Sequence, residues 1–109
     1  MRNCVIHRRF VLPEAGNRNN TSADRNLALQ AHLDIEAIIQ NDPNVVVLES
    51  GDPASVADFF KPDEEVMIYG AFRDGCLKVA REALLAKGVK ADYHPTGSIP
   101  AFIPSDENL

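Results

Sequence analysis

The residues best suited to chemistry lie just after a short apolar run, residues 66–69. Cys76 comes two residues after Asp74 and three after Arg73. If a helix begins here with Asp74 as its N-cap, the sulfur lies in the first turn, where free amides and the helix dipole stabilise a thiolate. Such a thiolate is a nucleophile, and the same amides could hold an oxyanion. The alternative is a small buried cysteine that packs the helix onto its neighbours.

Three further side chains could assist Cys76 in catalysis: Asp74, Glu49 and His94. A carboxylate at Glu49 could orient a base or a substrate amine. His94 could act as a general base, because imidazole titrates in the useful pH range. Each also has a simpler interpretation, since carboxylates often cap helices and a single histidine in a loop is often solvated.

Four residues are the candidates for substrate binding: Arg73, Asp52, Gly70 and Phe72. Arg73 would stabilise a neighbouring thiolate, and Phe72 would supply an apolar wall or belong to the core. Asp52 stands directly before a proline, which makes it a typical helix N-cap as well.

Four segments have the composition of strands. Residues 45–48 and 66–69 are continuous apolar runs, which is typical of strands buried on both faces of a parallel sheet. Residues 4–12 mix apolar and basic side chains and predict a first strand, and residues 89–93 predict a last one.

Three segments have the composition of helices. Residues 23–40 fit both a strand alternation and a helical stripe, and we predict a helix because alanine, leucine, glutamine and glutamate dominate and Ser22 can cap it. A short helix is predicted from Pro53 to Phe60. A third helix would carry Leu77, Ala80, Leu84 and Ala83 on its inner face and end at Gly88.

Strands that alternate with helices predict an α/β fold: one small Rossmann-like, three-layer domain, residues 1–109, with a mostly parallel sheet of about four strands. Residues 13–22 would form a polar loop and residues 94–109 an irregular tail. Ligands in such sheets bind beyond the carboxyl ends of the strands, which is where the candidate residues should gather.

Composition and net charge indicate which partners and cofactors the chain lacks. The 109 residues carry a net charge of −5 without a run of cations, so we expect no nucleic-acid partner. We expect no membrane partner and a cytoplasmic protein, because no apolar run is long enough to span a bilayer and no signal-peptide core is visible. Two distant cysteines and three scattered histidines predict reduced thiols, no metal and no cofactor. A small-molecule ligand remains possible.

Residues 65–77, followed by Gly88, resemble the nucleophile motif of the isochorismatase-like cysteine hydrolases. That family has an apolar strand ending in Tyr-Gly, an acidic residue two before the cysteine, and a glycine that ends the helix. The resemblance implies that Cys76 is a nucleophile acting on a small amide or ester, in a Rossmann-like fold that usually forms oligomers.

The resemblance covers only the last third of the chain. The family also uses an aspartate after its first strand and a lysine after a middle strand, where this sequence has His7 and Glu49. The alternatives are therefore an active hydrolase, a catalytically silent relative, and an unrelated family with the same turn.

Two other function classes stay open. Residues 89–102 resemble the glycine-rich ending of rhodanese-like domains, which implies a sulfurtransferase-type fold. A non-catalytic binding module is the third possibility, because an open sheet has two edges that self-association would cover. We therefore expect a homodimer or a larger homo-oligomer.

Overall fold

The computed structural model describes residues 1–8, 11 and 22–99, without the side chains of residues 22–25. In chain order, its elements are β1 (Arg2–Ile6), α1 (Ser22–Asn41), β2 (Val46–Leu48), a 3-10 helix (Pro53–Phe59), β3 (Glu65–Ala71), α2 (Cys76–Ala86) and β4 (Lys90–Ile99). Strands and helices alternate as the sequence predicted, and the chain is a small α/β domain.

The four strands form one parallel sheet in the order β2-β1-β3-β4. Val5 at the centre pairs with Val47 on one side and with Tyr69 on the other. The chain moves from β1 to β2 in one direction and then returns past β1 to β3. The strand order thus reverses between β1 and β3, which is the place where open parallel sheets bind ligands.

Helices cover both faces of the sheet, because alternate strand residues point to opposite sides. On one side, which we call the α2 face, α2 and the 3-10 helix pack on a buried cluster that includes Cys4, Ile6 and Ile68. On the other side, the α1 face, α1 packs on a cluster that includes Val5 and Tyr69. The result is the expected three-layer arrangement.

The ambiguous segment is a helix, as predicted. Ala28, Ala31 and Ile35 are buried at helical spacing on the α1 face. Leu29 and Leu33, which the strand alternative would have placed in the core, are about half exposed. The helix α2 also follows its prediction, since Leu77, Ala80 and Leu84 are buried and Gly88 directly follows its C-cap, Lys87, with a φ of 91°.

Two strand predictions were wrong in detail. The first strand does not extend over residues 4–12 but ends at Ile6, because His7 leaves the extended conformation with a φ of 49°. Val46–Leu48 is not buried on both faces: it is an edge of the described sheet, and Val47 is 36% exposed. Of the predicted polar loop, Ser22 begins α1 and residues 13–21 lie outside the described residues.

The last strand is longer than predicted, and the irregular tail does not begin at residue 94. In the register of β3 with β4, Ile68 pairs with Tyr93 and Gly70 with Ser98. One residue of β3 therefore faces four of β4, His94 to Gly97, which form a bulge before the strand resumes. Pro95 is tolerated inside this strand because it lies in the bulge. Residues 100–109 of the predicted tail are outside the described residues.

No helix in the described ranges has the length and apolar character needed to cross a membrane. The homo-oligomer stays a prediction.

Candidate functional site

Cys76 is the first residue of α2, and the turn before it is positioned by close packing. Gly70 has a φ of 133°, and a Cβ there would lie 2.3 Å from the Ile6 carbonyl oxygen. Only glycine allows β3 to approach β1 this closely before the chain turns into α2. Gly70 is thus required for packing. The peptide bond between Ala71 and Phe72, shortly after Gly70, is cis.

The amino end of α2 leaves backbone donors beside the sulfur. Its N-cap is Gly75, not Asp74 as predicted, and glycine provides no side-chain cap. The amides of Gly75 and Leu77 both donate to the Phe72 carbonyl oxygen, at 3.0 and 3.1 Å. In the part of the chain that is described, the amides of Cys76 and Lys78 have no acceptor. Two donors are therefore available in the first turn.

Cys76 is half-buried and lines an open depression of about 590 Å³ on the α2 face. The other lining residues are Asp52, Pro53, Asp74, Gly75, Lys78, Val79 and Glu82. Asp52 follows β2 and Asp74 follows β3, and β1 lies between these strands. The depression therefore stands at the carboxyl edge of the sheet, beside the reversal of strand order, where the fold predicts a ligand.

The two candidate carboxylates in the depression differ in their bonding. Asp52 is the N-cap of the 3-10 helix, as expected, and its Oδ1 accepts the Ala54 amide at 3.0 Å. Asp74 is exposed and makes no hydrogen bond within the described ranges. Neither carboxylate forms a hydrogen bond to the Cys76 sulfur, and no imidazole does so among the described residues.

His94 was wrongly predicted to lie in a loop after the last strand. Its ring lies in the β4 bulge and stacks on Tyr69 with centroids 4.5 Å apart and planes at 16°. Because Tyr69 belongs to the α1 face, His94 is on the opposite side of the sheet from the Cys76 depression. Its Nδ1 accepts the Gly97 amide at 2.8 Å.

Three other candidates make contacts away from the Cys76 depression. Glu49 is paired with Arg8 at 3.1 Å, and Arg8 also contacts Glu36 at 3.1 Å. Phe72 packs against the cluster on the α1 face. Arg73 donates to Ser98 Oγ at 2.9 Å and to the Pro95 carbonyl oxygen at 2.9 Å, so its guanidinium is occupied by β4.

Sequence reasoning did not single out Lys78, Val79 and Glu82, which line the depression from α2. Helical spacing was the available signal, because Val79 is three residues after Cys76 and Glu82 is three further. Within the described part of the chain, no group of three or more acidic, histidine or cysteine side chains could hold a metal ion.

The fold and this site define an α/β domain with a half-buried cysteine at the carboxyl edge of a parallel sheet. Comparison of the chain with family models, curated proteins and solved structures found no match.

Proposed function

We propose that the chain is a cysteine-dependent hydrolase of small amides or esters, with Cys76 as its nucleophile. The observation that carries this proposal is the position of Cys76, which lines the depression beside two amides that have no acceptor among the described residues. The resemblance of residues 65–77 to the isochorismatase-like motif supports the same nucleophile.

The reaction would take place in two steps. The Cys76 sulfur adds to the substrate carbonyl carbon, its proton passes to a carboxylate, and the oxyanion accepts hydrogen bonds from the Cys76 and Lys78 amides. The C–N or C–O bond then breaks, and the leaving group takes the proton. Water attacks the thioester, which releases the acid and restores the thiol.

Asp74 is the better proton acceptor of the two carboxylates. Asp52 already accepts the Ala54 amide and holds the start of the 3-10 helix, whereas Asp74 is exposed and makes no hydrogen bond within the described ranges. A carboxylate that is not engaged can move towards the sulfur when a substrate is bound, since catalytic hydrogen bonds are often long in empty sites.

Reaction with p-nitrophenyl acetate tests this proposal. We expect release of p-nitrophenol with one acetyl group on Cys76, detected by intact mass and peptide mapping. Cys76→Ser should abolish the acetyl-enzyme, and Asp74→Asn should slow its formation about a hundredfold, as expected for loss of a general base. Cys4→Ala and Asp58→Asn, which alter a thiol and an exposed carboxylate outside the depression, serve as matched controls and should react like the wild type.

Labelling with iodoacetamide tests the nucleophile separately. Cys4 is fully buried and burial raises the pKa of its thiol to about 12, so it should react far more slowly than Cys76.

Equal hydrolysis by the wild type and Cys76→Ser would overturn the hydrolase proposal. A persulfide on Cys76 after thiosulfate treatment would instead favour the sulfurtransferase alternative.

A further inference from the structure

A second cavity, of about 190 Å³, lies on the α1 face of the sheet. It is lined by Asp34, Ala37, Ile38 and Asn41 of α1, by Tyr69 of β3 and by His94 of β4. The Cys76 depression is on the other face, so this cavity is separate from the proposed hydrolase site.

The cavity is lined by a tyrosine hydroxyl that can bind a ligand. Tyr69 is only 6% exposed, and its hydroxyl makes no hydrogen bond to any part of the chain that is described. The His94 ring stacks on the tyrosine ring, and a Cβ on Gly97 would lie 2.3 Å from it. The ring is therefore held in place, and its hydroxyl is left to donate to, or accept from, a molecule in the cavity.

The charge around this hydroxyl is negative. Burial is the largest cause that raises the pKa of Tyr69, and the carboxylates of Asp34 and Asp42 raise it further. Asp34 accepts hydrogen bonds from Gln30 Nε2 at 3.0 Å and from Thr96 Oγ1. A carboxylate can accept about four hydrogen bonds, so two positions remain for a ligand. No lysine or arginine is among the described lining residues, and an anion would be repelled.

The size and walls of the cavity limit the ligand further. Its volume corresponds to roughly six water molecules. Ala37, Ile38 and the stacked rings of Tyr69 and His94 provide apolar and aromatic surface, and an aromatic face attracts cations.

We propose that this cavity binds a small primary ammonium ion, with the ammonium group held by Asp34 and the Tyr69 hydroxyl. The alkyl part of the ligand contacts Ala37, Ile38 and the aromatic rings. The inference is independent of the hydrolase proposal, because it uses no residue of the Cys76 depression.

A titration of the full chain with n-propylammonium chloride, monitored by ¹H–¹⁵N NMR, tests the site. Sodium chloride at equal ionic strength is the blank. We expect saturable shifts at the amides of the lining residues, with a Kd of the order of millimolar for so small a ligand. Acetate and acetamide should bind at least tenfold more weakly. Asp34→Asn and Tyr69→Phe should each weaken propylammonium binding about tenfold.

Three further variants make the outcome unambiguous. Ala37→Leu changes an exposed helical position and should fill the cavity without removing a polar group. Glu36→Gln, a carboxylate on the same helix that is paired with Arg8, and Cys76→Ser should both bind like the wild type. Absence of saturable shifts in the wild type, equal binding of acetate, or unchanged binding in both Asp34→Asn and Ala37→Leu would overturn the proposal.

Discussion

Arg73 is the side chain that most directly joins the turn before α2 to the last strand. Its Nε donates to Ser98 Oγ at 2.9 Å, and its Nη2 donates to the carbonyl oxygens of Pro95 at 2.9 Å and His94 at 3.3 Å. Its backbone amide donates to the Ile99 carbonyl oxygen at 3.0 Å. A planar guanidinium makes these bonds at once, so Arg73 holds the β4 bulge.

Replacing Arg73 by methionine should therefore change stability more than thiol reactivity. We expect the free energy of unfolding, from urea denaturation, to fall by about 2 kcal/mol, because several charge-assisted hydrogen bonds are lost. The alkylation rate of Cys76 should stay within about twofold of the wild type. Lys90→Met, which alters an exposed cation whose side chain makes no hydrogen bond among the described residues, is the control. A large fall in alkylation with unchanged stability would contradict this role.

At the scale of elements, two glycines allow β3 to lie close to its neighbours. Gly70 brings β3 against the Ile6 carbonyl oxygen, and Gly97 leaves room for the Tyr69 ring in the bulge of β4. The first contact sets the direction of the turn into α2, and the second places a tyrosine and a histidine face to face. The two candidate sites are thus positioned by backbone approach as well as by side chains.

Gly70→Ala tests this approach. A Cβ at Gly70 would lie 2.3 Å from the Ile6 carbonyl oxygen in a backbone conformation that favours glycine, so we expect a loss of roughly 3 kcal/mol or more in the free energy of unfolding. Gly51→Ala is the matched control: its φ is 93°, but no atom lies within 4 Å of the added Cβ. It should cost about 1 kcal/mol. Similar losses of stability in both variants would mean that the positive φ, and not the close contact with β1, is what requires glycine at Gly70.

The sequence was informative about elements because local patterns decide them. The spacing of Leu77, Ala80 and Leu84 predicts the inner face of α2, and Asp52 before a proline predicts the start of the 3-10 helix. It was uninformative about His94, because the bulge depends on how β4 pairs with β3, and pairing register is not visible in a single segment. The cavity beside Tyr69 was missed for the same reason.

At the scale of the whole molecule, both faces of the sheet depend on β1, which is almost completely enclosed from Cys4 to Ile6. Cys4 contributes to the cluster on the α2 face and Val5 to the cluster on the α1 face. Because helices cover both faces of the sheet, the side chains from Cys4 to Ile6 have no route to solvent. If an ionisable side chain in this enclosed part of β1 has a different pKa in the folded and unfolded chain, the free energy of unfolding of the domain depends on pH.

Cys4 is that group, and it should make stability fall at alkaline pH. Burial raises the pKa of its thiol from 9.0 to about 12 in the folded chain. Above pH 9 the unfolded chain releases a proton that the folded chain retains. Stability is thus fully present below pH 9 and is lost as pH rises towards 12, by about 1.4 kcal/mol per pH unit.

Urea denaturation at intervals from pH 7.5 to 10 measures this slope. The series stops at pH 10 because of Tyr69 and Tyr93. Their pKa values are also raised, mainly by burial, so these tyrosines add a similar loss of stability, but only above their ordinary pKa of 10. Cys4→Ala should remove the decline in this window even if its stability at neutral pH is lower, whereas Cys76→Ala, which keeps the buried thiol, should retain it. A decline of equal size in Cys4→Ala would show that groups other than the core thiol control the alkaline stability, and would contradict the enclosure of β1 by both helical layers.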